Sequence, residues 1–176
     1  LFIEDQVFPK RCGHTPGKAV IPAEEMVAKI KSALDARDDP DLVIMARTDA
    51  LAIDGLDAAI ERANLYREAG ADLLFVEAPG TVEEMRRVVT EAPGPHLANM
   101  IDFGMSPDLD AAALGEIGFA TAVWPVSSVF AEAFAVARLM EILRRDGTTR
   151  AARDAMTSFE GFTEIVGLGP MRDREA

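Results

Sequence analysis

The chain has 176 residues, of which 49% are hydrophobic and 27% charged, with a formal net charge of −12 at pH 7. That is the make-up of one ordinary globular domain with apolar material for a real core. Acidity of this size argues against nucleic acid and against an anionic membrane surface as partners, because both reward clustered Lys and Arg; a small anionic substrate stays open, since a few local cations dominate a pocket.

In chain order, short apolar runs alternate with amphipathic helical patterns. Residues 1–3 (Leu1-Phe2-Ile3) read as a strand, entered without a starting Met, so the chain reads as lacking its natural N-terminal part. A Gly/Pro-punctuated loop fills 5–22. From 23 to 38, Met26, Val27, Ile30 and Leu34 recur at helical spacing. Residues 42–46 form a β-rich run. Leu56, Ala59, Ile60, Ala63 and Tyr66 mark the next helix, closed by Gly70. Strands are expected at 73–76, 96–100 and 119–123, a helix at 82–90, and a short helix after Pro107. A long helix follows over 127–145 with Gly147 as its stop. Thr148 or Thr149 caps one more helix through Met156, and the charged tail is expected to fray.

Five strand–helix units in succession mean an α/β fold with a parallel sheet. An open doubly wound sheet and a (β/α)8 barrel compete. No glycine-rich phosphate fingerprint follows a strand, which weakens the dinucleotide-binding option. A complete TIM barrel needs roughly 200 residues or more, so of that alternative this chain has room for only about the last five βα units plus C-terminal helices, 1–176 then being the C-terminal part of a single domain. The strand ends carry chemistry. Ile3 gives way to Glu4 and Asp5, Ala46 to Arg47, Thr48 and Asp49, Val76 to Glu77, and Ala98 to Asn99. In a barrel these ends converge on one mouth. The plainer alternative is that strands simply turn polar as they reach water.

Lys10-Arg11-Cys12-Gly13-His14 is the strongest local signal. The thiolate is the reactive form of Cys, and adjacent cations favour it. Gly13 frees the backbone, and Pro9, Pro16 and Gly17 suit a loop that opens and closes. Cys12 is the only cysteine, which permits no disulfide and fits a reducing, cytoplasmic setting. Nucleophile, acid/base and metal ligand are its open roles. One Cys with His14 and His96 makes a thin zinc set. No apolar run approaches a membrane span, and no signal peptide is recognisable.

Ile3-Glu4-Asp5-Gln6, Lys10-Arg11-Cys12-Gly13-His14 and Met45-Ala46-Arg47-Thr48-Asp49-Ala50 together resemble the isocitrate lyase/phosphoenolpyruvate mutase superfamily. Phe75-Val76-Glu77-Ala78, Leu97-Ala98-Asn99-Met100 and Trp124-Pro125-Val126-Ser127 continue the match over almost the whole chain. The K-R-C-G-H form resembles the 2-methylisocitrate lyase branch; isocitrate lyase itself usually has a second Lys in place of Arg11.

The resemblance implies a homotetrameric α/β barrel whose last barrel helix is exchanged between partners. The long helix is compatible, because Val129, Phe130, Phe134, Val136, Leu139, Met140, Ile142 and Leu143 cover more than one face. It also implies Mg²⁺ (with Mn²⁺ as alternative) and cleavage of a 2-hydroxy tricarboxylate to pyruvate and an aci-carboxylate. Cys12 would protonate the aci-carboxylate to give succinate, with Lys10 and His14 tuning and orienting it. Arg11, Gly13, Arg47, Glu77 and Asn99 would bind the substrate carboxylates. Glu4 would stand behind the metal through water, and Asp49 would orient Arg47 or cap the strand end.

Two departures stand out. The family's principal metal-binding aspartates belong to earlier strands absent from this chain. Ile101 stands where such lyases often present a hydroxyl, which points to a substrate such as a dimethylmalate-like acid. The competing readings are a phosphonate mutase or hydrolase or an oxaloacetate decarboxylase, against which Cys12 speaks, and a non-catalytic chain.

Overall fold

The computed structural model describes residues 1–13 and 15–175. Its first compact unit, Leu1–Ser127, contains the five strands found among the described residues. They are β1 (Phe2–Glu4), β2 (Met45–Thr48), β3 (Leu73–Val76), β4 (Leu97–Asn99) and β5 (Thr121–Val123). Every pairing is parallel and joins strands adjacent in sequence: β1 to β2 to β3, then β4 to β5. A single parallel bridge, Leu74 to His96, stitches β3 to the segment leading into β4. Helices α1 (Ala23–Asp35), α2 (Leu51–Asp54), α3 (Leu56–Glu68), α4 (Val82–Glu91) and α5 (Ala111–Ile117) fill the connections. Parallel strands need such crossovers, so the α/β reading follows from the alternation itself.

The period of two along each strand divides the side chains between two faces. Ile3, Ala46, Leu74 and Val76 point to the helices, packing with Met26 and Ile30 of α1 and with Ala59, Ile60, Ala63 and Tyr66 of α3. Ala98 does the same with Met85 of α4 and Leu114 of α5. Glu4, Arg47, Glu77 and Asn99 take the alternate positions. Register aligns them: Glu4 lies opposite Arg47 and Arg47 opposite Phe75.

α4 begins with a reciprocal cap. Thr81 Oγ1 accepts from the Glu84 N–H at 3.1 Å, and the Glu84 carboxylate accepts from the Thr81 and Gly80 N–H groups at 3.2 and 2.6 Å. Gly118 ends α5 with φ +114°, a conformation that favours glycine.

Several boundaries differ from the sequence reading. The strand expected at 42–46 starts at Met45, because Asp39 turns the chain first: its Oδ1 accepts from the Asp41 N–H at 2.9 Å and its carbonyl from the Leu42 N–H at 3.1 Å. Arg47 and Thr48 therefore lie within β2, not beyond it. α1 stops at Asp35, and Arg37 turns away to bond the Leu42 carbonyl and Asp72. The four-residue α2 was not expected.

The second unit, Ser128–Ala176, holds most of the long helix α6 (Ser127–Asp146), a 3-10 turn (Arg150–Ala155), α7 (Phe159–Ile165) and α8 (Leu168–Glu175). The helix expected after Thr148 or Thr149 is that 3-10 turn; the Thr149 side chain makes no cap bond, while Thr148 Oγ1 accepts from the Arg150 N–H at 3.4 Å. The tail is helical where fraying was expected: Ser158 caps α7 through the Gly161 N–H at 2.9 Å. Among the described residues no helix is long and apolar enough to cross a membrane.

Candidate functional site

Residues Asp5 to Ile21 form a loop pinched at its base. Gln6 and Val20 bridge antiparallel, and the Val7 and Ile21 N–H groups bond the carbonyls of Ala19 and Asp5, both at 2.8 Å. Gln6 then reaches inward: its amide nitrogen donates to the Arg11 carbonyl at 2.8 Å, and its amide oxygen accepts from the Arg11 N–H at 2.9 Å. Beyond this clamp the chain turns tightly. The Cys12 carbonyl accepts from the Thr15 N–H at 3.0 Å and the Thr15 hydroxyl at 2.8 Å. Cys12 is left exposed at the tip.

Gly13 explains how close the tip comes to the strand ends. It is buried, and a Cβ built on it would overlap the Glu77 carboxylate. Any larger residue would push the loop off β3. Gly17, at φ +83°, has the guanidinium of Arg11 close beside it, and that guanidinium donates to the Pro16 carbonyl at 3.4 Å.

The loop tip and strand ends enclose a cavity of about 430 Å³. Its polar lining is Glu4, Arg11, Cys12, Gly13, Arg47, Glu77 and Asn99; Phe75 and Ile101 are among its apolar walls. Of the candidates read from sequence, the structure thus brings together all of these around one space. Lys10 approaches through Glu4, its Nζ 2.7 Å from Oε1. His14 lies outside the described residues.

Arg47 is the electrostatic centre. Asp49 grips it with two hydrogen bonds, to Nε at 2.9 Å and Nη2 at 3.0 Å. Glu4 is 3.1 Å away and Glu77 3.5 Å, and the guanidinium lies 4.9 Å over the Phe75 ring. Burial alone would lower the Arg47 pKa, but the Asp49 bonds and the surrounding carboxylates outweigh it and raise it. Burial alone would raise the Asp49 carboxyl, yet Arg47 and Lys18 hold it below its ordinary value. Both groups are therefore charged at neutral pH. Asn99 donates to both Glu77 oxygens at 3.4 and 3.3 Å. Directly after Glu77, buried Ala78 adopts φ +56°, which costs a non-glycine residue about 1 kcal/mol.

Four participants escaped the sequence reading as site residues: Gln6, Lys18, Arg62 and Tyr66. Arg62 and Tyr66 reach Asp5 from α3, and Lys18 reaches Asp49 31 residues on, so no local pattern marks these three. Gln6 alone sits inside a quoted motif, where its clamp on Arg11 is a matter of loop geometry.

The sequence reading puts the principal metal ligands outside this chain, with Glu4 behind the metal through water. Among the described residues no group of three or more His, Cys, Asp or Glu could hold an ion. Both oxygens of Glu4 are engaged by cations, one by Lys10 and the other by Arg47. The residues present do not fit a directly bound Mg²⁺.

The sequence profile of the phosphoenolpyruvate phosphomutase family matches residues 1–144. The chain belongs to that family. Among relatives in this phosphoenolpyruvate phosphomutase family, the 2,3-dimethylmalate lyase of Eubacterium barkeri is 43% identical over 173 residues, covering 98% of this chain and 60% of the relative. The 2-methylisocitrate lyase of Escherichia coli K12 is 47% identical over 166 residues, covering 94% and 56%. A solved phosphonopyruvate hydrolase, in complex with oxalate and Mg²⁺, superposes with a TM-score of 0.81 at 28% identity, covering 99% of this chain and 60% of that one. The chain spans little more than half the length of these relatives. Its relatives are named as lyases and mutases, and the parallel α/β architecture is shared with solved structures that include a lyase and a hydrolase.

Proposed function

We propose that this chain carries the catalytic loop and part of the strand-end wall of a carbon–carbon lyase cleaving 2-methylisocitrate to pyruvate and succinate. The observation that supports it most is the single cavity onto which Cys12, Gly13, Arg47, Glu77 and Asn99 converge. A reactive thiol, a fixed guanidinium and an amide are the groups needed to bind carboxylates and pass a proton.

In this reading Arg47, held rigid by Asp49, captures a substrate carboxylate with its remaining donors. Asn99 and Glu77 orient the carboxylate end, and the Arg11–Gly13 backbone closes over it. A base takes the substrate's hydroxyl proton, the C–C bond breaks with its electron pair going to the second fragment, and pyruvate and an aci-carboxylate result. Cys12 delivers a proton to the carbon of the latter and yields succinate, with Lys10 and His14 tuning the thiol. Mg²⁺, or Mn²⁺, is the cofactor of the whole protein; its direct ligands are contributed by residues outside this chain, with Glu4 behind them. The five strand–helix units are part of a (β/α)8 barrel, and the protein is a cytoplasmic homotetramer that exchanges α6. The exposed Val129, Phe134 and Met140 on that helix support the last point.

Ile101 favours a second substrate. It lines the cavity with an apolar side chain, and a dimethylmalate-like acid offers it a methyl group where 2-methylisocitrate carries a charged carboxymethyl group.

Release of a 2-oxo acid, coupled to lactate dehydrogenase, tests both readings in the full-length protein with Mg²⁺: pyruvate from the 2-methyl hydroxy acids, glyoxylate from isocitrate. The panel is 2-methylisocitrate, isocitrate, 2,3-dimethylmalate and oxaloacetate. Activity on one hydroxy acid supports the lyase and names its substrate; silence across the panel removes it. Cys12→Ser lowers turnover by about 10²–10⁴-fold, the usual worth of a positioned acid, while substrate binding persists. Undiminished turnover in that variant strips Cys12 of its role.

A further inference from the structure

Lys18 is the buried cation that the proposed chemistry leaves unused. Its side chain is 3% exposed and Asp49's is fully buried, with Nζ 3.2 Å from Oδ1. The same Nζ donates to the Gly13 carbonyl, at the loop tip beside Cys12. A buried ammonium persists only when paired, so both contacts define its position. Asp49 does not need Lys18 for charge balance, because Arg47 already grips it twice. Nor does the loop need Lys18 at its base, where the Gln6–Val20 bridge and the Gln6 clamp suffice. What Lys18 supplies is a link, among the described residues, from the tip to the strand-end ion pair.

We infer that Lys18 is a positioning residue that seats the Cys12–Gly13 tip by tying the Gly13 carbonyl to the Arg47–Asp49 pair. The geometry makes loop placement dependent on the arginine that meets substrate. With the ammonium gone, the buried Gly13 carbonyl loses its donor, and Gly13 loses its reason to lie against Glu77. For its catalytic consequence this inference rests on the lyase reading; for its structural consequence it does not.

Lys18→Met, which keeps length and removes charge, separates the two. Hydrogen exchange by mass spectrometry reads the loop without any turnover. Exchange across 7–17 rises several-fold, while peptides covering β2 and β3 stay protected. Loop protection equal to the parent's overturns the inference. Should Lys18→Met lose protection everywhere, Lys18→Gln decides: it retains a donor for Gly13, so its loop exchange falls between the parent and Lys18→Met, and parental loop protection again overturns the inference. In the full-length protein, kcat falls by about 10²-fold, as for a reacting group displaced by about 1 Å. KM stays within about two-fold, because Arg47 keeps its Asp49 partner. A raised KM with unchanged kcat overturns the positioning of Cys12. A parent without turnover on any panel acid refutes the lyase reading and leaves the exchange result to decide the latch.

Discussion

Asp5 has no exposed surface and is bonded from several directions. Its Oδ2 accepts from the Thr48 hydroxyl at 2.7 Å, the Tyr66 hydroxyl at 2.8 Å and Arg62 at 3.3 Å, and its Oδ1 from the Asp49 N–H at 3.0 Å. It thereby fixes the residue that fixes Arg47. Burial and the Asp5 charge push the Tyr66 phenol above its ordinary value, so it remains a neutral donor throughout the working pH range. Tyr66→Phe removes one bond to a charged acceptor and lowers stability by about 2 kcal/mol, read from the urea unfolding midpoint. Turnover changes far less than in Cys12→Ser, because Thr48 and the Asp49 N–H still hold Asp5. None of this was visible in the sequence. Thr48 and Tyr66 lie 43 and 61 residues from Asp5, and Lys18 lies 31 from Asp49. The K-R-C-G-H tip, by contrast, is a local string whose chemistry can be read without a partner.

Among the elements, the joint between β3 and β4 is the thinnest. It consists of the Leu74–His96 bridge, with the Leu74 N–H donating to the Pro95 carbonyl at 3.0 Å. His96 is fully buried there, edge-on to Phe119, with Nε2 2.6 Å from the Ala92 carbonyl. Burial pushes its pKa below the ordinary 6.5, more than the Ala92 bond restores. The unfolded chain therefore takes up this proton first, and acidification below about 6.5 drains stability until the folded value is passed. Urea midpoints fall from pH 7 toward pH 5, and His96→Gln flattens that slope. Boundaries of β3 were legible because Gly70 and Pro79 bracket four apolar residues. Those of β2 were not, because Leu42 and Val43 carry the same apolar signal yet stay exposed in the Asp39 turn. The tail misled for the opposite reason: its charges hid the Ser158 cap of α7.

For the molecule as a whole, alternation of strand and helix was enough to give parallel pairing, since crossovers leave little else. The division into two compact units was not, because α6 reads as one more helix in the series. Phe134 is 70% exposed on α6 and Phe159 86% exposed on α7. In the proposed exchanged-helix assembly this apolar surface is covered by a partner chain. Sedimentation velocity is expected to give a mass that is a multiple of one chain and rises with concentration. Phe134→Glu shifts it downward without altering the circular dichroism; a monomer at all concentrations would contradict the exchanged-helix assembly.

Each strand of the first unit pairs with a neighbour in sequence, and each pairing is closed by the helix between them. During synthesis, β1 and α1 have already left the ribosome when β2 appears, and β2 then offers a finished template to β3. Among these five strands, none has its observed partner further away than the next unit. Nascent chains of increasing length should therefore acquire protease resistance in steps, one strand–helix unit at a time, rather than in a single late event.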